Sequence, residues 1–170
     1  RLLNIYAPNF ISERREFFKD LYPFLTCQHY KILVGDFNCV SNVKLDKIGG
    51  NPIYGCEGSE VLGDICSSFN MADCFRKLHP STISTTWSSR DVSCRLDRVY
   101  LSKELLDITS NCQNLPFGHS DHDAVAIEFN GSPNITFGRG YWKFNNSLLH
   151  DKNFVKAFRE YWQHTNDIEM

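Results

Sequence analysis

The sequence predicts a mixed α/β domain, and three observations carry that expectation. Short apolar runs of strand length alternate with stretches whose apolar residues recur at helical spacing. Turn-rich segments separate the two kinds of run, which is how one layered core is assembled from both. The chain has 170 residues, 42% hydrophobic and 14% aromatic, enough for one core and short for two comfortable domains.

Taken in order, Leu2–Tyr6 reads as a strand stopped by Ala7-Pro8-Asn9. Ser12 is placed to cap a helix from Glu13 to about Leu25, with Phe17, Phe18, Leu21, Phe24 and Leu25 on one stripe. Lys31-Ile32-Leu33-Val34 reads as a short strand whose last three residues are continuously apolar, as in a strand buried on both faces. Val43 to Gly58, rich in Gly, Asn and Lys, reads as a surface loop, and Ser59 to Phe69 as a helix burying Val61, Leu62, Ile65 and Phe69. Arg95–Leu101 and Ala124–Phe129 are two further strands. Asn130-Gly131-Ser132-Pro133-Asn134 and Gly138-Arg139-Gly140 then break the pattern. A last helix follows, capped by Asp151 and carrying Phe154, Val155, Phe158, Tyr161 and Trp162 on one side. The expected division is therefore residues 1–130 and 131–170.

Composition narrows the function classes. A domain that grips nucleic acid by bulk electrostatics is usually more basic than a net charge of −2 and a pI near 6.3, so charge neither supports nor excludes DNA, and any such contact is local or transient. The seven cysteines, Cys27, Cys39, Cys56, Cys66, Cys74, Cys94 and Cys112, are odd in number and form no C-x-x-C pair. They predict reduced, mostly buried thiols and neither a disulfide framework nor a zinc site. No apolar run reaches the length of a membrane span and no signal peptide opens the chain, which predicts a nuclear or cytoplasmic protein with no membrane partner.

Three segments concentrate chemistry. Gly35-Asp36-Phe37-Asn38 follows a buried strand, and alternation turns Asp36 and Asn38 one way and Phe37 to the core. A carboxylate and an amide at a strand's C-terminal edge stand where α/β folds place ligands, although the same residues also make a plain turn. In Arg95-Leu96-Asp97-Arg98-Val99-Tyr100-Leu101, Asp97 either shares the apolar face of Val99 and Leu101, and then needs a partner, or faces solvent while Leu96 and Tyr100 are buried. Gly118-His119-Ser120-Asp121-His122-Asp123 packs two imidazoles among two carboxylates just before a strand. There His122 is a natural partner for Asp97, and His119 either ligates a metal or holds the turn.

Asn4-Ile5-Tyr6-Ala7-Pro8-Asn9, Gly35-Asp36-Phe37-Asn38, Arg95-Leu96-Asp97-Arg98-Val99 and Ser120-Asp121-His122 stand in the order seen in the endonuclease/exonuclease/phosphatase superfamily, which the chain resembles. Gly35-Asp36-Phe37-Asn38-Cys39-Val40 with Leu45-Asp46-Lys47 resembles the LINE-type (non-LTR) retrotransposon branch. So does Gly140-Tyr141-Trp142-Lys143-Phe144-Asn145-Asn146-Ser147-Leu148-Leu149, which looks like a connector toward a reverse transcriptase.

The resemblance implies a four-layer, DNase I-like α/β/β/α sandwich and Mg²⁺-dependent phosphodiester cleavage. Tyr6 would contact the scissile phosphate, Asp36 would orient or deprotonate the attacking water, and Asn38 would place the phosphate. His122, held by Asp97, would stabilise charge on the phosphoryl group, and Asp121 would belong to the metal's shell. The partners implied are DNA and a downstream reverse transcriptase domain of the same polyprotein, reached through the 131–170 connector. The family also uses an asparagine and a metal-binding glutamate upstream of the Tyr6 motif, and this sequence opens on that motif at Arg1. The expectation is an N-terminally truncated endonuclease domain, inactive alone, that in full length nicks target DNA to prime reverse transcription. The alternatives are another superfamily phosphodiesterase or phosphatase, acting on inositol phosphates or sphingomyelin, and a non-catalytic remnant.

Overall fold

The computed structural model describes residues 1–51, 55–131 and 146–166, with side chains described only for 148–161 in the last stretch. The elements, in chain order, begin with strand β1 (Leu2–Tyr6), helices α1 (Ile11–Lys19) and α2 (Tyr22–Leu25), and β2 (Ile32–Asp36). A one-turn helix α3 (Val43–Asp46) leads into β3 (Lys47–Ile48), followed by α4 (Ser59–Ser68), β4 (Met71–Asp73) and α5 (Cys74–Leu78). Then come β5 (Trp87–Ser89), β6 (Val92–Cys94), β7 (Asp97–Ser102), α6 (Lys103–Leu106), β8 (Thr109–Leu115) and β9 (Ala124–Phe129). A 3₁₀ turn (Asn146–His150) and helix α7 (Lys152–Asn166) follow.

The main sheet runs β1-β2-β7-β4, with β1 parallel to β2 and the other pairs antiparallel. Its two faces bury different sets. Leu33, Phe37 and Tyr100 turn to one side and pack with Phe18, Leu21 and Leu25 from the α1–α2 region and with Leu62, Ile65 and Cys66 of α4. Ile32, Val34, Val99 and Leu101 turn to the other and meet Cys112, Val125 and Ile127 of the β8–β9 hairpin. Helices, sheet and second sheet thus stack in layers, the arrangement expected of a DNase I-like α/β domain.

The expected helix from Glu13 to Leu25 is two helices. It starts earlier, at Ile11, with Phe10 rather than Ser12 at the N-cap, and no side chain caps it. It breaks after Lys19 because Pro23 lacks the N–H that a continuous helix would use there, and sits in the first turn of α2 instead. The Val43–Gly58 loop also contains order that composition hid. Asn42 Oδ1 accepts the Lys44 N–H at 3.1 Å and caps the single turn of α3, which delivers Asp46 to the interior.

Asp46 anchors a buried ion network. Arg95 Nε donates to Asp46 Oδ1 at 2.7 Å, and its two terminal nitrogens reach the Asp73 oxygens at 3.2 and 2.6 Å. Arg76 also contacts Asp46, and Asn42 N–H donates to the second Asp46 oxygen at 3.0 Å. Burial alone would raise the Asp46 pKa, but the hydrogen bonds and charges of Arg95 and Arg76 outweigh it and hold the carboxyl below its ordinary range. Two acids meet two guanidinium groups, so the network is charge-balanced.

All seven cysteines are free, and Cys39, Cys66, Cys74, Cys94 and Cys112 are buried, as small hydrophobes are. The chain divides into two compact units, Arg1–Gly131 and Ser132–Met170. In the second, Asp151 Oδ1 accepts the Asn153 and Phe154 N–H groups at 2.8 and 3.3 Å, which starts α7 where the sequence placed its cap. The 132–145 part of the expected connector and the Trp162 side chain lie outside the described residues. No helix among the described residues is long and apolar enough to cross a membrane.

Candidate active site

Strand register assembles the site. β1, β2 and β7 end level with one another, so Tyr6 stands beside Asp36, and Asp36 directly opposite Asp97. Because side chains alternate, Asp36 continues the Ile32/Val34 face and Asp97 the Val99/Leu101 face. Both carboxylates therefore emerge on the side of the main sheet that looks toward β8–β9, which resolves Asp97 to the apolar-side reading. Gly35 is what lets β2 lie so close to β1: its φ is +133°, and a Cβ there would come within 1.9 Å of the Ile5 carbonyl oxygen.

The third member arrives from the turn before β9. His122 Nδ1 lies 2.8 Å from Asp97 Oδ2. Asp36, Asp97 and His122 each offer a ligand-capable atom within 4.8 Å of the other two, a group that could hold a metal ion. Burial disfavours the charged form of Asp36 and raises its pKa; the Asn38 N–H opposes this, and the Asp97 charge across the strand pair adds to it. For His122, burial works toward a lower pKa. The hydrogen bond and charge of Asp97, with Asp36 and Asp121 nearby, outweigh burial and raise it.

Other expected site residues stand at different distances from this centre. Tyr6 is 66% exposed at the same sheet edge, its hydroxyl accepting from Asn9 Nδ2 at 3.4 Å. Asn38 leaves the strand with φ +48°, which ends the expected alternation with Asp36. Its backbone N–H donates to Asp36 Oδ1 at 2.8 Å and its side-chain amide to the Ala7 carbonyl at 2.7 Å, so it braces the carboxylate and ties β2 to the turn after β1. Asp121 turns to Trp87, whose indole N–H donates to Asp121 Oδ2 at 3.0 Å. His119 is exposed and meets Phe117 edge-on.

Sequence reasoning passed over Thr86 and Trp87. Thr86 is fully buried and its hydroxyl donates to Asp97 Oδ2 at 2.7 Å. Trp87 forms an isolated antiparallel bridge with His122. Neither residue has a local signal, because both act on groups far along the chain.

Comparison with known proteins bears on the fold. No protein-family model matches the sequence. The Transposon TX1 uncharacterized 149 kDa protein of Xenopus laevis is 33% identical over 172 residues, covering 95% of this chain and 13% of the relative. The AP endonuclease from Archaeoglobus fulgidus superposes with a TM-score of 0.66 at 18% identity, over 76% of this chain and 61% of that one. The 3′-5′ exonuclease NExo from Neisseria meningitidis does so with a TM-score of 0.64 at 18% identity, over 77% and 61%. The chain has the fold of these AP endonuclease and exonuclease structures and is similar to a stretch of a transposon protein. It spans about an eighth of that relative and three fifths of the two solved structures. Within this fold, the motifs read from the sequence fall at neighbouring strand ends, although Asp36 and His122 are far apart along the chain.

Proposed function

We propose that this domain is part of a Mg²⁺-dependent endonuclease that nicks target DNA and leaves a 3′ hydroxyl to prime reverse transcription, in a LINE-type polyprotein whose reverse transcriptase lies downstream. The observation that carries the proposal is the convergence of Asp36, Asp97 and His122 within 4.8 Å at one sheet edge. Phosphoryl transfer asks for in-line placement of water and neutralisation of equatorial charge, and these residue types supply both.

In this reading Asp36 orients the attacking water and takes its proton, and burial, by raising its pKa, favours that role. Asn38 keeps one Asp36 oxygen occupied through its N–H, fixing the carboxylate's rotation, and its neighbourhood places the phosphate. His122 has Nδ1 turned to Asp97, which leaves Nε2 to donate to a phosphoryl oxygen, and Asp97 keeps the imidazolium form favoured. Tyr6, exposed beside Asp36, contacts the scissile phosphate.

Hard carboxylate oxygens are what Mg²⁺ takes, usually one or two with several waters retained, so Asp36 and Asp97 fit the ion as a donor set. The imidazole suits it less and is already turned to Asp97. Asp121 would join the metal's shell on release from Trp87. Bound there, Mg²⁺ would stabilise charge on the phosphoryl group. The resemblance assigns a further metal-binding glutamate to a motif that precedes the Tyr6 motif, and we propose that this chain alone cleaves weakly or not at all.

The test is plasmid nicking with and without Mg²⁺, comparing this chain with a version extended at its N-terminus. The expected result is Mg²⁺-dependent nicking by the extended version and at least about 10²-fold less by the shorter chain, the scale of losing one transition-state charge contact. Equal rates would show that no upstream ligand is needed. Absence of nicking by both, with hydrolysis of a small phosphomonoester instead, would favour the phosphatase reading.

A further inference from the structure

We infer that Thr86 is a positioning residue for the Asp97–His122 pair, and that its hydroxyl proton is committed to Asp97 by the backbone around it. A threonine hydroxyl has one proton and two lone pairs. The Leu96 N–H donates to Thr86 Oγ1 at 3.0 Å and the Asp97 N–H at 2.9 Å, so both accepting directions are taken. The one remaining capacity is donation, and the partner in line is Asp97 Oδ2 at 2.7 Å. Thr86 is fully buried, so water does not compete for any of these bonds.

The oxygen that receives the Thr86 proton is the one facing His122 Nδ1 at 2.8 Å. Asp97 Oδ2 is thereby held by two donors, and the carboxylate is fixed in the rotation that faces the imidazole. With Nδ1 bound as donor to Asp97, Nε2 is the nitrogen left for substrate, and in the imidazolium form it carries the proton that a phosphoryl oxygen would accept. The backbone of Thr86 is itself pinned at both ends of this chain of bonds. Its N–H donates to Cys94 O at 2.9 Å, just before the Asp97 strand, and its carbonyl accepts from Asp123 N at 2.7 Å, next to His122. One residue therefore sets the spacing between β7 and the turn that carries the imidazole. The flanking Ser88 N–H bond to Asp121 O at 3.0 Å and the Trp87–Asp121 bond extend the same strap along that turn.

A merely structural Thr86 would satisfy the two backbone N–H groups and leave the pair to orient itself. The inference deepens the reading given under Proposed function, and rests on that reading only for its consequence in catalysis. A spectroscopic test keeps the two apart, since it needs no cleavage. At fixed pH and low temperature, proton NMR of the chain with ¹⁵N-labelled histidine reads the His122 Nδ1–H resonance, assigned by its absence in His122→Asn. The expected result is a downfield, slowly exchanging signal in the wild type and in Thr86→Ser, and its loss in Thr86→Val. A Thr86→Val protein that keeps the signal overturns the inference. If Thr86→Val fails to fold, the wild type decides: a slowly exchanging Thr86 hydroxyl proton with a cross-peak to the Nδ1 proton supports it, and absence of that proton overturns it.

Discussion

Two regions of this domain bring two aspartates together with cationic side chains, and they differ in what balances them. At the Asp46/Asp73/Arg76/Arg95 network each carboxylate meets a guanidinium, Asp46 and Arg95 are shut away from solvent, and the Asp46 pKa is held down. At the Asp36/Asp97/His122 cluster two carboxylates face each other across a strand pair with one imidazole bonded to Asp97, and the pKa of Asp36 is held up. The first arrangement joins α3, β4, α5 and the entry to β7, and its balance serves the fold. The second keeps an uncompensated negative charge at a sheet edge, a poor way to stabilise a fold and a good way to attract a cation or a proton.

The largest expected effect that would break this contrast is on stability. Asp46→Ala leaves Arg95 and Arg76 short of a buried partner and should cost about 3–5 kcal/mol in urea unfolding. Asp36→Asn removes one of two like charges directly opposite each other and should leave stability unchanged or raise it by roughly 0.2–1 kcal/mol. Comparable losses in both variants would erase the distinction.

Acid should separate the two regions as well. Asp46 has a depressed folded pKa, so its stabilisation is in place above the ordinary carboxylate pKa of about 4 and is lost as pH falls through the folded value. Asp36 has a raised one, so ionising it costs stability at neutral pH, and that cost disappears as pH falls through its folded pKa. His122 is also raised, and its contribution is complete below about 6.5 and lost as pH climbs through the folded value. Stability measured from pH 3 to 8 should therefore show the Asp46→Asn deficit shrinking at the acid end and an Asp97→Asn deficit shrinking at the alkaline end. A deficit constant across that range in either variant contradicts the assignment.

The smallest effect is a control. Arg15 and Glu60 pair at 2.7 Å between α1 and α4, but both side chains are at least half exposed. Arg15→Ala should shift unfolding by no more than about 1 kcal/mol, since exposed pairs are screened and entropically costly. A larger loss there would mean that surface charge matters in this fold as much as the buried network does.

Much of the frame was legible because periodicity encodes it. β1 and β9 fall on the expected bounds, and β2 and α4 within two residues of them, since their apolar residues recur at strand or helix spacing. β8 was not legible: Thr109–Leu115 is mostly polar, and only its pairing with β9 makes it a strand. β5 and β6 are three residues each and take their order from the sheet they join. At the site, Asp36, Asp97 and His122 were readable as motif residues, and alternation alone placed Asp97 on one of two faces. Thr86 was not, because a buried hydroxyl whose partner lies 11 residues away leaves no pattern in the sequence. The Asp46–Arg95 pair, 49 residues apart, was hidden for the same reason.

One measurement bears on the central claim most directly, namely that the strand-end acids serve chemistry and the buried acids serve the fold. It pairs Mg²⁺-dependent plasmid nicking by the N-terminally extended version with the urea midpoint of the same Asp36→Asn protein. The account predicts nicking reduced by about 10²-fold or more, the scale of losing a positioned general base, with a midpoint equal to or above that of the unsubstituted protein. Undiminished nicking, or a midpoint lowered as far as in Asp46→Ala, would contradict it.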